Sequence, residues 1–252
     1  MIKLKDIILE GMYDRIVGKV NKELFKSIKD AMKSSGTEED PKPYKGYNIR
    51  KEPMGMDIGD LFAMERRDIY VGEFQDEKSG LDFEVQLKFA LTKRGVKPGK
   101  FYIDGSAETD EDYPVINVEL AIHPNDGEKI LSKVQPIFRD LVRHEIEHLT
   151  HGRKSLGSKI SKWMRGDLAA REKIRKDPKL YHKYFLLPKE VDANIHGLYS
   201  KAKTIKQPYQ KVVDDYLDDL MKDGIITKEQ RKQIYNKWKK RIPKIGGIPK
   251  LK

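Results

Sequence analysis

The chain of 252 residues contains no cysteine, which excludes disulfide bonds and thiolate metal sites. Any zinc bound by this chain must therefore use histidine and carboxylate ligands. The sequence also lacks an apolar run of the length that a membrane span needs, and charged residues interrupt its N-terminal segment every few positions. We therefore expect neither a transmembrane segment nor a secretory leader, and a cytoplasmic protein is the default expectation.

One short motif stands out from the many charged residues. His144, Glu145 and His148 form the pattern HExxH within a segment that we predict to be helical from about Glu128 to His151. Side chains four residues apart lie on one face of a helix, so the two histidines can bind one metal ion with Glu145 beside them. A metal lowers the pKa of a bound water to about 7, and a neighbouring carboxylate can accept its proton. The motif predicts a zinc-dependent hydrolase with Glu145 as general base.

Because three fixed residues in five also occur by chance, the surroundings of the motif have to support this interpretation. Apolar residues recur at spacings of three and four along the same segment: Ile130, Leu131, Val134, Ile137, Phe138, Leu141 and Leu149. His144, Glu145 and His148 border this stripe. We therefore expect them to be partly buried, as metal ligands usually are.

A candidate third ligand follows downstream. Catalytic zinc usually takes three protein ligands, and Pro188 is suited to begin a helix on which Glu190, Ala193, Asn194 and Gly197 share one face. We expect Glu190 to coordinate the metal. Ala193 and Gly197 would let this helix approach the HExxH helix closely, and Asn194 would hydrogen-bond a ligand.

Other side chains near the motif have secondary roles in this prediction. His151 is the reserve ligand, ranked below Glu190 because three histidines on one short helical arc rarely reach one ion in tetrahedral geometry. Glu147 points away from the histidine pair, and we expect it in solvent. A zinc hydrolase of this type commonly uses a histidine or tyrosine to stabilise, together with the metal, the negative charge that develops on the substrate. We favour a residue of the segment Tyr181–Tyr184, which includes His182, over His196 for this role.

The HExxH motif followed by Glu190, Ala193 and Asn194 resembles the zincin metallopeptidases. The likeness is to the gluzincin branch, and to the ImmA/IrrE peptidases, whose downstream motif is E-x-x-A-N. It covers roughly residues 68–202. The resemblance implies a zinc metallopeptidase, a hydrolase acting on a protein or peptide substrate, with Zn²⁺ held by His144, His148 and Glu190. The metzincin pattern fails because Lys154 stands where its third ligand would be.

The fold class follows from hydrophobic periodicity. Alternation with a period of two predicts strands over 82–91 and 116–122, and weaker ones over 68–74 and 100–105. We predict an α+β fold, in which a zincin-like antiparallel or mixed sheet with meandering antiparallel connections packs on the HExxH helix. In the zincin fold an edge strand beside this helix pairs with extended substrate, and the resemblance assigns Val115–Ile122 to that edge.

Helical extensions flank this central region. Residues 1–46 form an N-terminal amphipathic helix and a linker, 47–204 a zincin-like domain, and 205–252 a C-terminal helical hairpin with a basic tail. We interpret the N-terminal helix as a packing helix in preference to a membrane-surface helix. The basic tail predicts contact with a polyanion, with a solubilising end or a docking tail as equal alternatives.

A second function class stays open beside the peptidase. The lysine-rich chain, with a net charge of +11, also resembles bacteriophage-encoded proteins, which would place it in the host cytoplasm or the virion. The alternative is a non-catalytic binding or virion structural protein in which HExxH is relict or holds a structural metal. Zinc content and hydrolytic activity separate the two hypotheses.

Overall fold

A computed structural model describes residues 4–34, 67–77, 80–93, 95–108, 113–153, 169–174 and 176–252. Its helices are α1 (Leu4–Ser34), α2 (Leu131–Arg153), α3 (Pro188–Ile205), α4 (Tyr209–Lys222) and α5 (Lys228–Ile245). Its strands are β1 (Arg67–Asp76), β2 (Leu81–Leu91), β3 (Phe101–Glu108) and β4 (Val115–Ile122). The fold is α+β, as predicted. The predicted linker that follows α1 lies outside the described residues.

The four strands form one mixed sheet in the order β1-β2-β4-β3. β2 and β4 are parallel, while the β1–β2 and β3–β4 pairs are antiparallel. The predicted meander is therefore wrong, because the chain leaves β2 and lays β3 on the far side of β4. The assignment of Val115–Ile122 to the edge is also wrong: β4 is central, and β3 is the edge strand among the described residues.

Burial along these two strands explains the order of the sheet. β4 is buried at seven of its eight positions, and a strand that is buried on both faces belongs in the middle of a sheet. β3 instead exposes Asp104, Ser106 and Glu108. Its Gly105 lies against α2, where an added Cβ would be 2.7 Å from Cδ1 of Leu141. The edge strand next to α2 is therefore β3.

The larger hydrophobic core lies between the sheet and the helices α1 and α2. Every second residue of β2 is buried in it: Leu81, Phe83, Val85, Leu87 and Phe89. α1 contributes Ile16, Val20, Leu24 and Ile28, and α2 contributes Val134, Phe138, Val142 and Ile146. Each such side chain contributes about 1.5–3 kcal/mol on burial. The interpretation of the N-terminal helix as a packing helix is confirmed for the side chains described, from Tyr13 onward.

The connection from β4 into α2 fixes where the HExxH helix begins. A 3₁₀ segment, Pro124–Ile130, precedes α2, and the His123 side chain accepts a hydrogen bond from the Asn125 N–H at its start. Gly127 has φ 55° and ψ −157°, a conformation that side chains with a Cβ rarely adopt. α2 therefore starts at Leu131, three residues after the predicted start, and continues as predicted through the motif.

A second core joins α3 to the two C-terminal helices. Its fully buried members include Ile195, Val213, Leu217, Ile234 and Trp238. The Trp238 indole N–H donates to the Phe185 carbonyl at 3.1 Å. α3 thus packs against α2 on one side and against α4 and α5 on the other. None of the helices in the described ranges combines the length and the apolar character that crossing a membrane would require.

Candidate metal centre

The two motif histidines lie one turn apart on α2 and face the same point. Their side chains are 16% and 15% exposed, for His144 and His148 respectively, which agrees with the predicted partial burial. The Nε2 atoms of the two rings are 3.1 Å apart. Two ring nitrogens at this distance are suited to share one cation, because each offers a lone pair in its neutral form.

Glu190 completes the group from the first turn of α3. Its carboxylate is fully buried, with Oε2 3.4 Å from Nε2 of His144 and Oε1 3.4 Å from Nε2 of His148. The three predicted ligands therefore converge, although α2 and α3 are far apart in sequence; we call them the triad. Ligands at about 2.0–2.1 Å from a tetrahedral ion are about 3.3 Å from one another. The imidazole nitrogens are 3.1 Å apart and each has one Glu190 oxygen at 3.4 Å, while one ligand atom from each of the three residues lies within 4.8 Å of the others.

The two oxygens of Glu190 have different surroundings. Oε1 accepts a hydrogen bond from the guanidinium of Arg171, whereas the buried Oε2 has no hydrogen-bond partner among the described residues. Burial alone would raise the pKa of Glu190, but the imidazoles of His144 and His148 hold this pKa well below its ordinary value. A carboxylate that stays ionised with one buried oxygen unsatisfied is suited to a cation.

Arg171 is a residue of the site that sequence reasoning missed. It lies in a helical segment at residues 169–174, and its Cζ is 5.4 Å from the centre of the Tyr184 ring. Arg171 thereby links Glu190 to the wall of the site formed by Tyr184. No sequence signal distinguishes Arg171, because its neighbourhood is rich in lysine and arginine and has no recognisable spacing.

Glu145, the predicted general base, is buried on α2 next to the two histidines. Burial raises its pKa, positive charge on His144 and His148 would lower it, and the carboxylates of Glu190 and Asp104 raise it further. The net pKa lies above the ordinary value. A buried carboxylate with a raised pKa is a better proton acceptor than a solvated one, which agrees with the role expected from the motif.

The close approach of α2 and α3 depends on the small residue that was predicted to allow it. A Cβ added at Gly197 would lie 2.3 Å from Oδ1 and 2.9 Å from the carbonyl oxygen of Asp140. Ala193 is fully buried on the same face. Asn194 donates from Nδ2 to the main-chain carbonyl of Glu190 at 2.7 Å. It therefore supports the ligand through the backbone of α3.

Asp140 is a second residue that sequence reasoning missed. It lies one turn before His144, and burial raises its pKa to about 6, while Lys201 and His144 lower it. The pKa of His144 is lowered by burial but raised by the carboxylates of Glu190, Glu145 and Asp140, with a net increase. The i, i+4 spacing from His144 could have identified Asp140 as a carboxylate beside a ligand.

Another side of α2, about 100° around the helix from the two histidines, carries a second, largely buried group of charges, which we call the rear cluster: Arg143, Glu147 and His196. Arg143 donates to Oε2 of Glu147 at 2.8 Å, and Nε2 of His196 is 3.7 Å from the same oxygen. Arg143 also lies 4.8 Å over the ring of Tyr13. The expectation that Glu147 is in solvent is wrong, because α1 and α3 cover this side of the helix. The other part of the expectation agrees with the structure, because Glu147 points away from the triad.

The structure distinguishes among the side chains that were candidates to stabilise negative charge on the substrate together with a metal. Tyr184 lies beside Glu190: its pKa is raised well above the ordinary value by burial and by the charge of Glu190. His182 instead contacts the carbonyl of Lys179 and the amide of Gln230. His196 belongs to the rear cluster. The side chain of the reserve ligand, His151, lies outside the described residues.

The basic C-terminal segment is partly neutralised within the chain. Arg231 donates to Asp214 and Asp218, and Arg241 donates to both oxygens of Asp192 at 2.6 and 2.5 Å. The lysines of α5 are exposed. Polyanion contact by this segment stays a prediction that now depends on the lysines alone.

The site as a whole joins two imidazoles and one buried carboxylate in a group that could hold a metal ion, with a second buried carboxylate of raised pKa beside them. Comparisons with protein-family models, with curated proteins and with solved structures found no match to this chain.

Proposed function

We propose that this protein is a zinc-dependent metallopeptidase in which His144, His148 and Glu190 hold the zinc and Glu145 is the general base. The observation that carries the proposal is the arrival of Glu190 from a separate helix, with Oε2 3.4 Å from Nε2 of His144 and Oε1 3.4 Å from Nε2 of His148. Two histidines and a carboxylate are a common ligand set of catalytic zinc and leave one coordination position for water or substrate. The unsatisfied Oε2 of Glu190 supports the same proposal.

The chemistry assigned to the chain's own residues is proton transfer and positioning. When bound, zinc would lower the pKa of a water and polarise the scissile carbonyl. Glu145 accepts a proton during attack on that carbonyl and passes it to the leaving nitrogen, which its raised pKa favours. Arg171 donates to Oε1 of Glu190, so Oε2, which has no hydrogen-bond partner among the described residues, would be available to an ion.

A protein or peptide substrate in extended form is the substrate class that we propose. β3 has a strand neighbour only on its β4 side within the described residues, and its Gly105 brings it close to α2. An extended segment can add to such an edge through main-chain hydrogen bonds. This geometry supports β3, in place of β4, as the strand along which substrate lies.

Tyr184 is our proposed donor to the negative charge that develops on the substrate. Its ring contacts Arg171 and its pKa is raised by Glu190, so its hydroxyl stays protonated near the triad. The Tyr184→Phe variant should lower the turnover about 10- to 100-fold while zinc content is kept, since loss of such a donor typically has effects of this order or larger. His182 contacts Lys179 and Gln230 instead of the triad, so His182→Ala should change turnover less than twofold. Equal losses of turnover in the two variants would remove Tyr184 from this role.

The experiment that tests the proposal compares two carboxylates on the same helix. The wild-type chain, Glu145→Gln and the matched control Glu147→Gln are purified, their zinc is measured by mass spectrometry, and cleavage of a peptide library is followed. We expect about one zinc per chain in all three. Glu145→Gln should lose about a thousandfold or more in hydrolysis, because an amide cannot accept the proton. Glu147→Gln should stay within about fivefold of wild type, because it keeps the hydrogen bond to Arg143.

Two outcomes would contradict the proposal. A wild-type chain that binds no added zinc removes the metal centre. A zinc-containing wild-type chain that cleaves no peptide favours the non-catalytic alternative with a structural metal. Unchanged turnover in Glu145→Gln, with an active wild type, would instead remove Glu145 from the mechanism.

A further inference from the structure

The outer surface of α1 carries a straight row of exposed lysines. The row, which we call the lysine row, consists of Lys19, Lys22, Lys26, Lys29 and Lys33. Alternating spacings of three and four residues keep these side chains within an arc of about 80° on a helix with 3.6 residues per turn. Fourteen residues of helix extend over about 21 Å. The result is a rigid linear array of five positive charges.

The lysine row lies directly opposite the face of α1 that is buried. Val20, Leu24 and Ile28 are fully buried in the core beneath the helix, and they lie about 140–220° around the helix from the centre of the row. No apolar residue lies within the arc of the row between Lys19 and Lys33. This surface therefore offers charge without apolar anchors.

Within the part of the chain that the structure describes, one ion pair from another element reaches the lysine row. Oε2 of Glu128 lies 3.8 Å from Lys29 Nζ, with both side chains about half exposed, and Glu23 and Asp30 lie along one flank of the arc. Like charges three or four residues apart destabilise a helix, so a solvated helix face usually mixes both signs. An array of one sign is suited to a polyanion.

We propose that the lysine row binds the phosphate backbone of duplex DNA without reading its sequence. Duplex DNA carries about one negative charge per 1.7 Å of its axis, so a row of 21 Å faces on the order of a dozen phosphates. The straight axis of a short duplex matches the straight line of the lysine row. A membrane surface is the weaker partner because the row lacks apolar side chains to insert. Single strands are weaker because no exposed aromatic side chain lies in the row for bases to stack on.

The test measures binding of the full chain to a duplex of about 30 base pairs by fluorescence anisotropy over a range of salt concentrations. Five phosphate contacts predict a slope of about −4.5 in log K against log salt, and about a 500-fold loss of affinity between 50 and 200 mM salt. The triple variant K19Q/K22Q/K26Q should reduce the slope to about −1.8 and weaken binding at least tenfold at 50 mM salt. The matched control K93Q/K97Q/K100Q removes the same charge from exposed positions between β2 and β3 and should stay within about threefold of wild type.

Because glutamine is a good helix former, α1 should persist in the triple variant, and circular dichroism checks this. The triple variant K19R/K22R/K26R should bind like wild type, since the charges are kept. Loss of binding in the K93Q/K97Q/K100Q control equal to that in the α1 variant would overturn the proposal, as would absence of binding at 50 mM salt. Tighter binding of the wild type to phosphatidylserine vesicles than to DNA, lost in the same α1 variant, would assign the row to a membrane surface. The proposal uses no residue of the triad, so its failure leaves the proposed peptidase untouched.

Discussion

The two sides of α2 bury the same kinds of charged residue with opposite results. In the rear cluster, Arg143 and Glu147 pair at 2.8 Å and His196 faces the same carboxylate. On the triad side, two imidazole nitrogens and an unsatisfied carboxylate oxygen converge within 4.8 Å. Charges that satisfy one another hold a structure together, whereas convergent lone pairs with an unsatisfied oxygen need a ligand. Burial alone therefore does not identify a site; a buried polar atom that lacks a protein partner does.

The largest expected difference between the two sides is in zinc affinity. Glu190→Ala should weaken zinc binding by about a thousandfold or more, because it removes one of three ligands, whereas Glu147→Ala should weaken it by less than about tenfold. Competition with a chromophoric chelator measures both constants. Equal zinc affinity in the two variants would remove Glu190 from the ligand set. The third ligand would then be His151 or an acidic residue other than Glu190.

The folding stability of the metal-free protein should depend strongly on the rear cluster. Glu147→Ala leaves Arg143 buried and without its carboxylate, and breaking a buried pair in this way costs about 3–5 kcal/mol of unfolding free energy. Glu172→Ala, which breaks the exposed Glu172–Lys176 pair, is the control and should cost less than about 0.5 kcal/mol. Urea unfolding with a chelator present measures both. A small effect of Glu147→Ala would mean that the rear cluster does not hold the helices together.

The smallest of the three effects concerns the packing of α2 on α3, on which both sides depend. Gly197→Ala places a Cβ against the backbone and side chain of Asp140 and should cost about 1–3 kcal/mol in unfolding free energy while weakening zinc binding. Gly18→Ala on α1 meets no atom within 4 Å and should instead stabilise the protein by about 0.5–1 kcal/mol. Thermal unfolding with and without zinc checks both. A neutral Gly197→Ala would show that the helices can separate without cost.

Local periodicity explains which parts of this fold could be predicted from sequence. The buried alternation of β2, the stripe of α2 and the i, i+4 spacing of His144 and His148 are properties of single segments. Glu190 could be named because a helix start and a short motif surround it. The order of the strands could not, since β3 crosses to the far side of β4 and nothing in either segment encodes that pairing.

The errors at the site have the same origin. Glu147 has the pattern of a solvated residue within α2, and only the packing of α1 and α3 buries it. Arg171 has no pattern at all, because its role depends on where residues 169–174 meet α3 and Tyr184. Both depend on contacts between segments, which a helical spacing cannot report.

The most direct measurement of the central claim is the position of zinc in crystals of the zinc-loaded protein, found from anomalous scattering at the zinc absorption edge. The account predicts one strong peak at about 2.0–2.2 Å from Nε2 of His144, Nε2 of His148 and a carboxylate oxygen of Glu190. A peak at another group of residues, or no peak at the triad in zinc-saturated crystals, would contradict it.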